Sequence, residues 1–135
     1  MDNVNNCLTT NNMAGYDHLI KFFKEEGFRY EDNGSVLSFK IQGVNYLAFK
    51  NDNTPFLQIM IGCNTEGQSR SKQLEICNSM NQDKFILKFT VNSDSDRVIC
   101  SYEFEPNAST TSEDFMAAFA ILDKGTDEFF ERISK

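Results

Sequence analysis

Few residues in this chain have the types and spacing that chemistry demands. The sharpest candidate is Asn92-Ser93-Asp94-Ser95-Asp96 with Glu103 downstream. Oxygen donors at alternate positions and a carboxylate at the twelfth are the pattern of a calcium-binding loop. Two departures count against it. The sixth position, where the loop must turn sharply on glycine, holds Arg97, and the first is Asn rather than Asp. Val98 to Phe104 also alternates like a strand, so the segment is expected to be a solvated hairpin turn.

The remaining candidates are thinner. His18 is the only histidine. It has no HxxxH or CxxC companion, whereas zinc sites and nucleophilic triads need several such groups. The four cysteines, Cys7, Cys63, Cys77 and Cys100, are widely spread and lack metal-ligand spacing. They read as reduced thiols of a cytosolic protein. Glu25/Glu26 and Glu113/Asp114 are helix-end pairs. Catalytic carboxylates would have to meet in a cleft with their pKa values pushed apart. Neither a Walker loop nor a GxGxxG occurs. The expectation is a protein without enzymatic activity, cofactor or metal. The alternative is a small-molecule- or metal-binding protein, or an enzyme, with a site built from scattered carboxylates.

Charge narrows the partners. The 135 residues carry a formal net charge of −7. Nucleic-acid binding draws most of its affinity from phosphate neutralisation by cations, and the clustered cations here, Lys21/Lys24 and Arg70/Lys72, suit solvated helix faces. Anionic membranes are disfavoured for the same reason. The N-terminus has neither the basic start nor the apolar core of a signal peptide, and no run approaches the roughly 20 apolar residues of a membrane span. A cytoplasmic protein binding another protein or itself, with no nucleic acid and no membrane, is expected.

The elements that would position a site follow from periodicity. Residues 1–13 are Asn/Thr-rich and read as a flexible tail, and residues 14–135 as a single domain. Leu19, Ile20, Phe22 and Phe23 mark one face of a helix over Tyr16 to Glu26, closed by Gly27. Val36 to Ile41, Val44 to Lys50 and Phe56 to Ile61 read as an antiparallel meander, with Gln42-Gly43 a tight turn. Ser69 caps a second helix that runs through Asn81, with Leu74, Cys77 and Met80 at i, i+3, i+6. Asn78 and Asn81 are its expected C-caps, since asparagine tolerates left-handed geometry. Lys84 to Val91 and Arg97 to Glu105 alternate as a hairpin with one apolar face. Thr111 or Ser112 caps a long last helix in which Phe115, Phe119 and Leu122 share a face, and Gly125 reads as a kink. The order is α-βββ-α-ββ-α: an α+β fold with an antiparallel sheet of about five strands and helices packed on it. The hairpin's second face still carries Ile86 and Ile99. The expected partner or dimer surface is therefore the helix-free sheet face with the Ser69–Asn81 helix, and its residues are Leu74, Ile86 and Ile99.

Ile76-Cys77-Asn78-Ser79-Met80-Asn81, then Lys84-Phe85-Ile86-Leu87-Lys88-Phe89, the acidic turn at Asp94 and Asp96, the return strand and the C-terminal helix with Phe119, Leu122 and Phe129 form one continuous pattern. It resembles the YbjN-type family of bacterial sensory-transduction regulators, which in turn resembles the type III secretion chaperone fold. The resemblance covers nearly all of the chain after residue 15. It implies a non-enzymatic, often dimeric scaffold. Secretion chaperones of that fold bind extended segments of other proteins.

Overall fold

The computed structural model describes residues 13–84, 86–92, 94 and 96–135. Apart from Met13, the expected tail lies outside the described residues. The elements are α1 (Gly15–Glu26), β1 (Tyr30–Asp32), β2 (Val36–Ile41), β3 (Val44–Phe49), β4 (Leu57–Asn64), α2 (Arg70–Asp83), β5 (Leu87–Val91), β6 (Arg97–Phe104) and α3 (Ser112–Ile133). The sheet is antiparallel and six-stranded, in the order β1-β2-β3-β4-β6-β5. Among the described residues no helix is long and apolar enough to cross a membrane.

The chain groups into two compact units, Met1–Ile59 with Glu103–Ala117, and Met60–Tyr102 with Ala118–Lys135. The first is built on aromatic rings. Phe22 of α1 stacks on Phe115 of α3 with centroids 4.7 Å apart, Phe23 lies 4.7 Å from Phe39, and Phe39 stacks on Tyr46 at 5.5 Å. Leu37, Phe39 and Ile41 of β2 are buried and alternate with less covered residues. Gly27 ends α1 in left-handed geometry at φ 79°, as its place in the sequence predicts. Gln42-Gly43 is also the expected tight turn, with Ile41 opposite Val44. The sixth strand, β1, is the addition to the expected five. Tyr-Glu-Asp has neither the length nor the alternation of a strand, and it becomes one by pairing with β2, Tyr30 opposite Phe39.

In the second unit Phe89 of β5 stacks on Phe129 of α3 at 5.7 Å. Ser69 Oγ accepts from the Lys72 N–H at 3.1 Å and caps α2 as expected. The other end differs. α2 continues through Asp83 and closes on Lys84, whose N–H donates to Met80 O. Asn78 and Asn81 are thus interior helix residues and not C-caps. Asn81 has a tertiary partner instead: its amide makes two hydrogen bonds to the backbone of Phe89. The following strand starts late, because the Leu87 N–H donates to Lys84 O in a tight connection. That leaves Ile86 in the connection and outside the strand. β4 in turn extends beyond the expected Ile61 to Asn64. α3 opens on a reciprocal cap, Thr111 N–H to the Asp114 carboxylate and Asp114 N–H to Thr111 Oγ1. Gly125 serves close packing: a β-carbon there would lie 2.3 Å from Leu87 Cδ1.

Gly15 is tighter still, since a β-carbon would sit 2.3 Å from Phe56 O and 2.7 Å from Leu57 N, both backbone atoms that cannot rotate away. Its own N–H donates to Thr54 O at 3.1 Å. Gly15→Ala should therefore destabilise the protein by about 1–3 kcal/mol, although alanine favours a helix by about 1 kcal/mol. Denaturant unfolding of the variant checks this.

Candidate functional site

The first unit carries a cleft of about 480 Å³ where β3 leaves the sheet and β4 begins. Phe49 forms one wall and Phe56 another, and both are large apolar side chains left 47% exposed. Gln58 and Glu103 lie along its strand side, and residues Lys50 to Thr54 form the loop above. Strand alternation explains Phe49. In β3, Tyr46 and Ala48 turn into the core, so Asn45, Leu47 and Phe49 must turn out. Leu47 is 40% exposed, and across the β2–β3 ladder Val36 pairs with Phe49 and Ser38 with Leu47. An apolar ridge therefore runs from the sheet face into the cleft.

A chain of polar contacts fixes the loop. Lys50 Nζ bridges Asp32 at 2.8 Å and lies 5.4 Å from the centroid of the Tyr16 ring. The Tyr16 hydroxyl donates to Asp52. That bond to a carboxylate, joined by partial burial, pushes the Tyr16 pKa to about 12. The hydrogen bond from Lys50, with the Gly34 N–H beside it, holds Asp32 below the usual carboxylate range. Thr54 Oγ1 accepts from the Phe56 N–H at 3.1 Å. The cleft can therefore receive an apolar group between two rings and offer amide and carboxylate oxygens at its rim.

Apart from Glu103, the groups singled out as possible chemistry do not line this cleft. His18 lines a second cavity, of about 280 Å³, with Lys21, Glu25, Thr111 and Phe115. Burial lowers its pKa, with Lys21 adding to the effect and Asp17 opposing it. The calcium-like segment is committed elsewhere: Asn92 Oδ1 accepts from the Asp94 N–H at 2.9 Å, and Asp96 O accepts from the Thr65 N–H at 2.8 Å. Glu103 stands near the far end of β6. Among the described residues no group of three or more His, Cys, Asp or Glu could hold a metal ion. Cys63, Cys77 and Cys100 are free and buried. Burial pushes Cys63 to about 12 and Cys77 to about 11, and Cys100 also upward.

The three residues expected to form a partner surface occupy three different elements of the second unit. Leu74 is 48% exposed on α2, and Ile86 is 60% exposed in the connection to β5. Ile99 is half-buried on β6, on the opposite side of that strand from Val98 and Cys100. Leu47, Phe49 and Phe56 escaped the sequence reading. One available signal was β3 itself, which carries apolar residues at both parities, so one set had to face outward.

No protein-family model matches the chain, and no curated protein sequence does. Solved structures do match in fold. YbjN of E. coli superposes with a TM-score of 0.57 at 14% identity, over 85% of this chain and 87% of that one. A chain of the HopA1–SchA chaperone–effector complex gives 0.62 at 11% identity, over 86% and 93%. A chain of the ExsC–ExsE complex gives 0.63 at 16% identity, over 84% and 92%. The fold is the one shared by YbjN and the type III secretion chaperones, as the sequence resemblance implied.

Two outcomes follow from these environments. His18 has a folded pKa below its unfolded value of about 6.5, so its contribution is intact above that value and is lost as pH falls through the folded pKa. The melting temperature should drop across that interval, and His18→Gln should flatten this part of the profile. A thiol reagent at neutral pH should leave Cys63, Cys77 and Cys100 unlabelled in the folded protein and label them upon unfolding, as peptide mapping would show.

Proposed function

We propose that this chain is a non-enzymatic protein-interaction module, chaperone-like or regulatory, that acts as a homodimer in the bacterial cytoplasm. The observation that carries this reading is the exposed ridge of Leu47, Phe49 and Phe56 leading into a cleft with a loop held by its own polar contacts. A surface of large apolar side chains rimmed by polar groups is what a docking site for another protein looks like. The chaperone–effector and ExsC–ExsE complexes among the similar structures support a protein partner by analogy of fold. An extended partner segment laid along β3 would place one apolar side chain between Phe49 and Phe56. Leu74, Ile86 and Ile99 of the second unit are proposed as a further contact or dimer surface.

Affinity capture of the tagged protein from lysate of its source organism tests this reading. A stoichiometric protein partner should be retained by the wild type and lost with Phe49→Asp. Because Phe49 is half-exposed on the outer face of β3, the variant should stay folded at a cost of about 1 kcal/mol. Ile86→Asp should weaken either the same partner or the dimer. Equal recovery with all variants would remove both surfaces, and a monomeric mass at micromolar concentration would remove the dimer. A specific rise of several degrees in melting temperature with a metal or metabolite would instead favour a small ligand.

A further inference from the structure

The cleft between Phe49 and Phe56 is unbalanced in charge. Its charged lining is Lys50, Asp52 and Glu103. The Lys50 ammonium is already matched by Asp32 at 2.8 Å. Asp52 accepts from the Tyr16 hydroxyl, a neutral donor that leaves the carboxylate its charge. Glu103 is exposed, and among the described residues it has neither a hydrogen bond nor an ion pair. The other polar groups of the lining, Asn51, Asn53, Thr54 and Gln58, are uncharged. Lys40, on the same face of β2, stands opposite Asn45 at the other end of the β2–β3 ladder. Two carboxylates therefore lie beside the rings without a cation to match them.

The rings bear on which cation fits. An aromatic face attracts positive charge, and the planar guanidinium of arginine both stacks on such a face and forks onto a carboxylate through two parallel N–H bonds. The lysine ammonium is compact and strongly hydrated and does neither as well. The cleft volume of about 480 Å³ falls in the range of roughly 300–1,000 Å³ that encloses a whole small ligand, so it takes more than one side chain. Leu47 continues the apolar ridge along β3, and a small cation confined to the cleft would leave it bare. On an extended segment, residues i and i+2 share a face about 6.5 Å apart, so two such side chains enter one cleft.

We propose that the partner segment held by this cleft carries an arginine two residues from its large apolar side chain, with the guanidinium on Glu103 and the apolar group between Phe49 and Phe56. This pairing rests on the docking role proposed above and adds to it the charge of the partner. The net charge of −7 draws a basic segment toward the protein from a distance, an attraction that salt screens. An acidic segment would instead set a further carboxylate against Asp52 and Glu103.

Selection of random linear peptides displayed on phage against the full chain, followed by fluorescence anisotropy of the selected peptides, tests it. The selected family should place arginine, ahead of lysine, two residues from a leucine, isoleucine or phenylalanine. Glu103→Gln should weaken these peptides about fivefold, the upper range for an ion pair open to solvent. It should leave unchanged the same peptides with glutamine in place of arginine. Added salt should narrow the difference between the two proteins. Glu103 is exposed, so both proteins fold alike. Phe49→Ala should weaken the whole family. A selection that yields no family, or one that Phe49→Ala binds as well as the wild type does, removes the docking role and the arginine together. A family that needs Phe49 but shows no excess of arginine, or that binds Glu103→Gln as it binds the wild type, overturns the arginine alone.

Discussion

Phenylalanine has to be covered, and most of this architecture answers that constraint. The chain has 13 phenylalanines, no tryptophan and a formal charge of −7. A fully buried Phe stabilises by roughly 1.5–3 kcal/mol relative to an exposed one, and Phe23, Phe89, Phe119 and Phe129 are all fully buried. In the first unit the rings of Phe22, Phe23, Phe39, Tyr46 and Phe115 form a connected series that joins α1, the meander and the start of α3. In the second, Phe89 and Phe129 join β5 to α3, and Gly125 gives the helix room to approach Leu87. The phenylalanines left out of this economy, Phe49 and Phe56 above all, stand out for that reason.

Covering the rings brings backbone toward the interior, and each buried amide then needs a partner. The solutions are local and specific. Gln73 Nε2 donates to Thr65 Oγ1, which itself donates to Asp96 O, so a buried glutamine is satisfied through the loop it holds. Asn81 does the same for the β5 edge. The ion pairs around Arg132 and Lys84 are partly exposed and add little stability by themselves. Their value lies in orientation, since they hold the end of α2 where Asn81 reaches Phe89.

The same contrast separates the candidate sites. Groups with chemical potential are spent on structure or buried: Asp52 on Tyr16, Asp32 on Lys50, Asn92 on its own turn, and three thiols in the core. Apolar groups, by contrast, are left on the surface at the cleft. Among the described residues the cysteines are buried, and the rings of Phe49 and Phe56 are half-exposed. The chain shares its fold with YbjN and the secretion chaperones, and a shared fold does not carry a function with it.

Periodicity by itself determined the helices, the meander, the hairpin, the Ser69 cap and the Gly27 stop, because each depends on residues within a few positions of one another. The turn at Gln42-Gly43 and the alternation of Leu87 and Phe89 were legible for the same reason. Tertiary structure alone decided the rest. β1 is a strand only because β2 is beside it. Asn81 is of a residue type that often caps helices, yet α2 continues past it, and its amide pairs with the backbone of Phe89 on β5. Ile86 leaves the strand because Lys84 O captures the Leu87 N–H. Leu47, Phe49 and Phe56 became a surface only when the parity of β3 and the loop pinned by Tyr16, Asp52, Lys50 and Asp32 were set. Those contacts join residues up to 36 positions apart, beyond the reach of any local pattern.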